Sequence, residues 1–171
     1  MAEPLSEQII RKIKQACERY YRLILVVGPS GRGKTASLQE VQVRTKAPLV
    51  NANLELSRRM LELTERQRIL QLPRLLREIV CNDSSEMILI DNIEIIFDVH
   101  LKQDPLRLLQ GLSRNKTVVA AWNGTLIEDY LIYAAPDHPE YRRYPVRDFL
   151  VATPEGTHKN TENSIAMEPI R

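Results

Sequence analysis

Gly28-Pro29-Ser30-Gly31-Arg32-Gly33-Lys34-Thr35 constrains this chain more than any other stretch. It follows the apolar run Leu23 to Val27 and leads into Thr35 to Thr45, which suits a helix. A G-x-x-x-x-G-K-[ST] pattern between strand and helix is a phosphate cradle. Gly28, Gly31 and Gly33 permit the backbone angles that turn successive N–H groups inward around phosphate oxygens. A helix starting near Gly33 points its positive end at the same anion. Lys34 supplies a compact charge for the β- and γ-phosphates, and Thr35 a hydroxyl ligand for Mg²⁺. A glycine-rich turn matching by chance would explain neither the strand before nor the helix after. The stretch predicts a nucleoside triphosphate site, with ATP and Mg²⁺ as the bound species.

At 171 residues the chain has the length of one domain with a real core. Its 43% hydrophobic and 27% charged residues are those of an ordinary globular protein, and a net charge of +2 does not announce nucleic acid. Cys17 and Cys81 lie far apart and form no metal or redox spacing, so they read as reduced thiols. No apolar run approaches membrane-spanning length and no signal-peptide core opens the chain. A cytoplasmic location with no membrane partner is the expectation.

Ser6 is placed to cap a helix over 6–21, with Ile9, Ile10, Ile13, Ala16, Cys17 and Tyr20 on one face. Unbroken apolar runs at 23–27, 87–90 and 117–122 suit a parallel sheet covered on both sides. Pro48 to Asn53 reads as a further short strand and Val146 to Ala152 as a fifth. Between Glu55 and Glu78 six arginines sit among leucines, and Pro73 predicts a break between two helical pieces. Those arginines form a solvated face paired with glutamates, or a surface for a neighbouring subunit or a nucleic-acid backbone. Asp104-Pro105 opens a helix to Leu112, and 126–134 is apolar and aromatic before Pro136, Pro139 and Pro145 break the chain. The expected architecture is α/β: a P-loop NTPase three-layer sandwich with a five-stranded parallel sheet over 1–152, then a flexible tail at 153–171.

Asp91 closes an apolar strand downstream of the P-loop, the position of the acid that holds Mg²⁺. In AAA+ and RecA-like ATPases an extra strand separates that acid's strand from the P-loop strand and ends on a polar residue that senses the γ-phosphate. The run 117–122, ending on Asn123, resembles it, although Asn123-Gly124 is also a turn pair. Glu140-Tyr141-Arg142-Arg143-Tyr144-Pro145 resembles the Arg-Arg-Phe region before the last core strand of AAA+ proteins. There an arginine reaches the γ-phosphate held by the adjacent subunit, which implies Arg142 or Arg143 here, with Arg114 as a second candidate. Two features depart from AAA+. Asn92, not glutamate, follows Asp91, and too little chain follows the fifth strand for a helical lid. The catalytic base is then Glu94, three residues past Asp91, or Glu55, after the second strand.

Longer strings narrow the resemblance. Asn53-Leu54-Glu55-Leu56-Ser57-Arg58-Arg59, Leu89-Ile90-Asp91-Asn92-Ile93-Glu94-Ile95, Lys102 to Leu109, Ala121-Trp122-Asn123-Gly124 and His138 to Pro145 together resemble BrxF. This is the family of small P-loop proteins in one type of bacteriophage-exclusion (BREX) system, and the likeness spans about 5–152. It implies a place in a multi-protein bacterial defence against phage, beside a larger ATPase, a DNA methyltransferase and a phosphatase-like component, with DNA as a further partner. Three activities fit these residues. The first is an ATPase that assembles with itself so that an arginine of one subunit completes the next site. The second is a guanylate-kinase-like nucleotide kinase, since Gly-Pro-Ser-Gly-x-Gly-Lys-Thr also opens such enzymes. The third is a module that uses ATP for assembly with little turnover.

Overall fold

The computed structural model describes residues 3–31, 33–154 and 158–159. In chain order come α1 (Leu5–Ala16), β1 (Leu23–Gly28), α2 (Lys34–Thr45), β2 (Leu49–Asn51), α3 (Ala52–Met60), α4 (Glu65–Val80) and β3 (Met87–Asp91). Two 3₁₀ turns, Glu94–Phe97 and Val99–Leu101, precede α5 (Pro105–Leu112) and β4 (Thr117–Asn123). The chain closes with β5 (Thr125–Ile127), β6 (Tyr130–Tyr133), β7 (Arg142–Pro145), β8 (Leu150–Ala152) and β9 (His158–Lys159).

Five strands form a parallel sheet in the order β2-β3-β4-β1-β8. Alternate residues of one strand point to opposite faces, and both faces are covered. Leu23, Leu25 and Val27 of β1 join Ile88, Ile90, Val118 and Ala120 beneath α3, α4 and α5. Ile24 and Val26 join Leu89, Val119 and Ala121 beneath α1 and α2. All six β1 residues are buried, and each such aliphatic side chain contributes roughly 1.5–3 kcal/mol. This is why the strand runs are unbroken and why three layers form. The nucleotide pattern and the extra strand β4 between β1 and β3 make the fold a P-loop NTPase core of AAA+-like strand order.

Three local expectations are corrected. Ser6 does not cap α1: Pro4 precedes the first turn, and Ser6 lies buried inside it at 2% exposure. The helix stops at Ala16, five residues short of Tyr21. Pro73 does not divide the arginine-rich segment but sits inside α4. The break falls at 61–64, where Thr64 Oγ1 accepts from Gln67 N at 3.2 Å and Gln67 Oε1 accepts from Thr64 N at 2.9 Å. Arg68 seals the joint through Nε, which donates to Met60 O at 3.0 Å and Leu63 O at 3.1 Å. A proline has no N–H for the carbonyl four residues earlier, here Ile69 O. Gln103 Nε2 supplies the missing donor at 2.9 Å. The helix therefore continues.

A second sheet, β7-β6-β5-β9, was not foreseen. β5, β6 and β7 are antiparallel neighbours and β9 runs parallel to β5. The fifth core strand shortens to β8, and the Arg142–Pro145 stretch before it becomes β7. An aromatic cluster joins the two sheets. Phe97 stacks on Tyr133 at 3.5 Å between centroids, while Trp122 meets Phe97, Tyr133 and Tyr144 edge-on at 5.0, 6.0 and 6.0 Å. Tyr144 Oη also donates to Asp104 Oδ1 at 2.8 Å. Among the described residues no helix is long and apolar enough to cross a membrane. Of the expected tail, only 153–154 and 158–159 fall among the described residues.

Candidate nucleotide site

β1 ends at Gly28, β3 at Asp91 and β4 at Asn123, and because the strands are parallel these ends lie side by side. The P-loop bends from β1 into α2 through Gly31 at φ 80° and Gly33 at φ 78°. Both angles lie in the left-handed region that side chains disfavour, so these two glycines are required by the turn. Gly33 is the N-cap of α2, with no side chain of its own over the first turn. The first N–H groups of α2 are left for an anion.

A cavity of about 440 Å³ opens here, bounded by Ser30, Gly31, Gly33, Lys34, Thr35, Ala36 and Gln39 on one side. Asp91, Asn92, Glu94 and Asn123 form the other side. Lys34 is only 5% exposed, and its Nζ donates to Gly28 O at 2.8 Å and Pro29 O at 2.6 Å. Burial pushes its ammonium below the usual lysine value, and the carboxylates of Asp91 and Glu94 oppose that shift. Thr35 Oγ1 donates to Asp91 Oδ2 at 2.6 Å. Asp91 Oδ1 accepts from the N–H of Asn92, at 2.9 Å, a residue held at φ 54°. Asn92 O in turn accepts from Asn53 N at 2.8 Å, which ties the start of α3 to the same strand end.

Glu94 opens the first 3₁₀ turn, and its Oε1 accepts a short hydrogen bond from Asn123 Nδ2. The two candidates are thus brought together at the cavity wall. Glu55 is not there. It sits on α3 against Arg58 at 3.6 Å and Arg59 at 4.0 Å, outside the cavity lining.

None of the three candidate arginines lines the cavity. Arg142 Nη2 donates to Gln103 O at 2.8 Å, Arg143 lies 3.6 Å over the Tyr130 ring, and Arg114 lies 4.8 Å over Tyr20. Pro29 belongs to the loop through its carbonyl, while Arg32 lies outside the described residues. Sequence reasoning missed Gln39, which follows Thr35 at the i+4 spacing that puts both on one helix face. It also took Asn123-Gly124 as a turn pair in the competing reading. Gly124 instead donates its N–H to Gly28 O at 3.1 Å and leads straight into β5.

The residues present fit a magnesium–triphosphate. Among the described residues no group of three or more His, Cys, Asp or Glu could hold a metal unaided. One carboxylate and one hydroxyl, Asp91 and Thr35, lie within hydrogen-bond distance of each other. Mg²⁺ is commonly held in this way, by few protein oxygens plus substrate phosphates and water.

No protein-family model and no curated protein matches the chain. Among solved structures the chain is similar to PCH-2 of C. elegans, at 17% identity and a TM-score of 0.41. The likeness covers 72% of this chain and 38% of that one, so the chain spans well under half the length of that protein. Sheet order and the phosphate loop, not this likeness, carry the fold assignment.

Proposed function

We propose that this protein binds Mg-ATP and hydrolyses it to ADP and phosphate. It would act as a self-assembling, nucleotide-driven switch or motor in a cytoplasmic anti-phage complex of the BREX type. The observation that supports the chemistry is the convergence of Lys34, the Thr35–Asp91 pair and the Glu94–Asn123 pair on one cavity. The defence role, the larger ATPase partner and any contact with DNA rest on the sequence strings that resemble BrxF.

In this reading the P-loop N–H groups and Lys34 hold the β- and γ-phosphates, Lys34 exchanging its two carbonyl partners for phosphate oxygens. Mg²⁺ held by Thr35, Asp91 and the phosphates would neutralise charge that builds up during transfer. Glu94 takes the proton of a water whose oxygen attacks the γ-phosphorus as the bond to the β–γ bridging oxygen breaks. Asn123 orients that carboxylate and reports on the γ-phosphate. Among the described residues the exposed Arg143 side chain is held only by a ring contact, so it is better placed than Arg142 to reach a second copy. Arg142 is committed to Gln103 within its own chain.

Kinases of the guanylate type place the Mg²⁺-binding strand next to the P-loop strand. β4 between β1 and β3 speaks against that reading. Phosphate release and ADP formation, followed with and without GMP under single- and multiple-turnover conditions, test the proposal. Phosphate should appear without an acceptor. ADP formed only when GMP is added would mean a kinase. ATP that stays bound and intact in a single turnover would mean an assembly module.

A further inference from the structure

A second cavity, of about 420 Å³, lies at the opposite end of the parallel sheet from the nucleotide cavity. It opens where β1, β3 and β4 begin, beside the last turns of α1 and α2. Val118 N donates to Arg22 O and Thr117 N to Glu86 O, both at 2.9 Å, so the ladder reaches back to these strand starts. Thr117 pairs with Met87, and the next residue of β4 pairs with Leu23, which sets Arg22 on the other side of Thr117. Two residues further along each strand, Ile24, Leu89 and Val119 lie beneath α1 and α2. By alternation Arg22, Met87 and Thr117 face the same way. A guanidinium, a hydroxyl and a thioether therefore form one row across three strands.

Thr117 is only 6% exposed, and its hydroxyl has no hydrogen-bond partner among the described residues. Among those residues no side-chain nitrogen or oxygen is both sealed from solvent and unpartnered. The hydroxyl thus opens on the cavity that Thr117 lines. Arg22 is half-buried with no side-chain hydrogen bond or ion pair among the described residues, and the exposed Lys46 and Glu86 have none either. Removing a guanidinium from water without a partner costs free energy. The nearby helix carbonyls already have donors. Ile13 O accepts from Cys17 Sγ at 3.4 Å, Val41 O from Thr45 Oγ1 at 2.7 Å and Gln42 O from Lys46 N at 2.7 Å.

Two cations against one carboxylate leave the lining side chains net positive, and Ile13, Ala47 and Met87 add an apolar wall. A few polar groups set in an apolar wall are the composition of a small-molecule site. A phosphate ester brings about two negative charges and three acceptor oxygens, enough for Arg22, Lys46 and Thr117 together. Its organic body would cover the wall, which a bare ion would leave in water.

We infer that this cavity is a second ligand site, for a small organic phosphate whose anionic head is taken by Arg22, Lys46 and Thr117. The site goes beyond the nucleotide reading and does not depend on it, since binding here is measured without ATP.

The test uses the full chain carrying Cys81→Ser, which leaves Cys17, exposed and lining the cavity, as its one thiol. Calorimetric titration with phenyl phosphate gives the affinity, and the rate of Cys17 alkylation by iodoacetamide gives the place. With ligand at about ten times its dissociation constant, alkylation should slow about tenfold. Thr117→Val and Arg22→Gln should each raise that constant about tenfold. Inorganic phosphate, which lacks the ring, should bind at least about tenfold more weakly. Lys34→Ala should bind and protect as the parent does, which separates this site from the P-loop. Absence of binding at millimolar phenyl phosphate overturns the inference, as does binding that leaves Cys17 alkylation unchanged. Protection lost in Lys34→Ala, or benzoate bound as tightly as phenyl phosphate, overturns it too. Should Arg22→Gln unfold the chain, Lys46→Gly must still weaken binding, since glycine favours the φ of 62° found there.

Discussion

Replacing Glu94 by Gln should lower single-turnover ATP hydrolysis by about 10²–10⁴-fold while leaving Mg-ATP affinity near the parent's. The amide keeps an oxygen that can accept from Asn123 Nδ2, so the side chain stays at the cavity wall. It cannot take a proton from water at neutral pH, and the proton-transfer contribution to the rate is lost. Glu55→Gln is the matched comparison. Glu55 faces Arg58 and Arg59 on α3 and does not line the cavity, so its amide should turn over ATP like the parent. Quenched-flow hydrolysis beside a binding isotherm reads both variants. Loss of rate in Glu55→Gln with none in Glu94→Gln would reverse the assignment.

Gly124→Ala should destabilise the fold by about 3–5 kcal/mol, at the upper end for one added methyl group. A Cβ at this position would stand 1.9 Å from Ile132 O, 2.9 Å from Trp122 Nε1 and 3.0 Å from Trp122 Cδ1. The first of these is backbone and cannot rotate away. Relief requires β5 and β6 to part, which breaks the 3.2 Å hydrogen bond from Trp122 Nε1 to Ile132 O. It also loosens the aromatic cluster that joins the small sheet to the core. The Gly124 N–H on Gly28 O would shift too, so the mouth of the P-loop moves with it. Gly111, inside α5, has open space around its Cβ position. There Ala should instead stabilise by about 0.5–1 kcal/mol. Urea denaturation of the two variants compares them directly, and a Gly124→Ala protein as stable as the parent would contradict the packing described.

What could be read in the sequence was local or periodic. The P-loop carries its own strand-to-helix context, and the runs 23–27, 87–90 and 117–122 are apolar throughout because a parallel sheet buries both faces. Asn123 at the end of one such run was enough to predict the strand between β1 and β3. The misses depend on distant partners. Pro73 reads as a helix break until Gln103, thirty residues on, satisfies the carbonyl that the proline leaves free. β5 to β7 have three or four residues each, too few for a period to show, and their pairing is set by Trp122, Phe97 and Tyr133. Between Glu94 and Glu55 the sequence offered no decision. A 3₁₀ turn after Asp91 brings Glu94 to the cavity, while α3 carries Glu55 toward its neighbouring arginines.

Calorimetric titration of the parent and of Lys34→Ala with ATP, with and without Mg²⁺, tests the central claim most directly. Lys34 is the buried cation of the cavity, and its ammonium already rests on the P-loop carbonyls Gly28 O and Pro29 O. The parent should bind ATP more tightly when Mg²⁺ is present. Lys34→Ala should keep the fold and lose tight binding in both conditions, because among the described residues no other lysine or arginine lines the cavity. Equal affinity of parent and variant would mean that the nucleotide, if bound, is bound elsewhere.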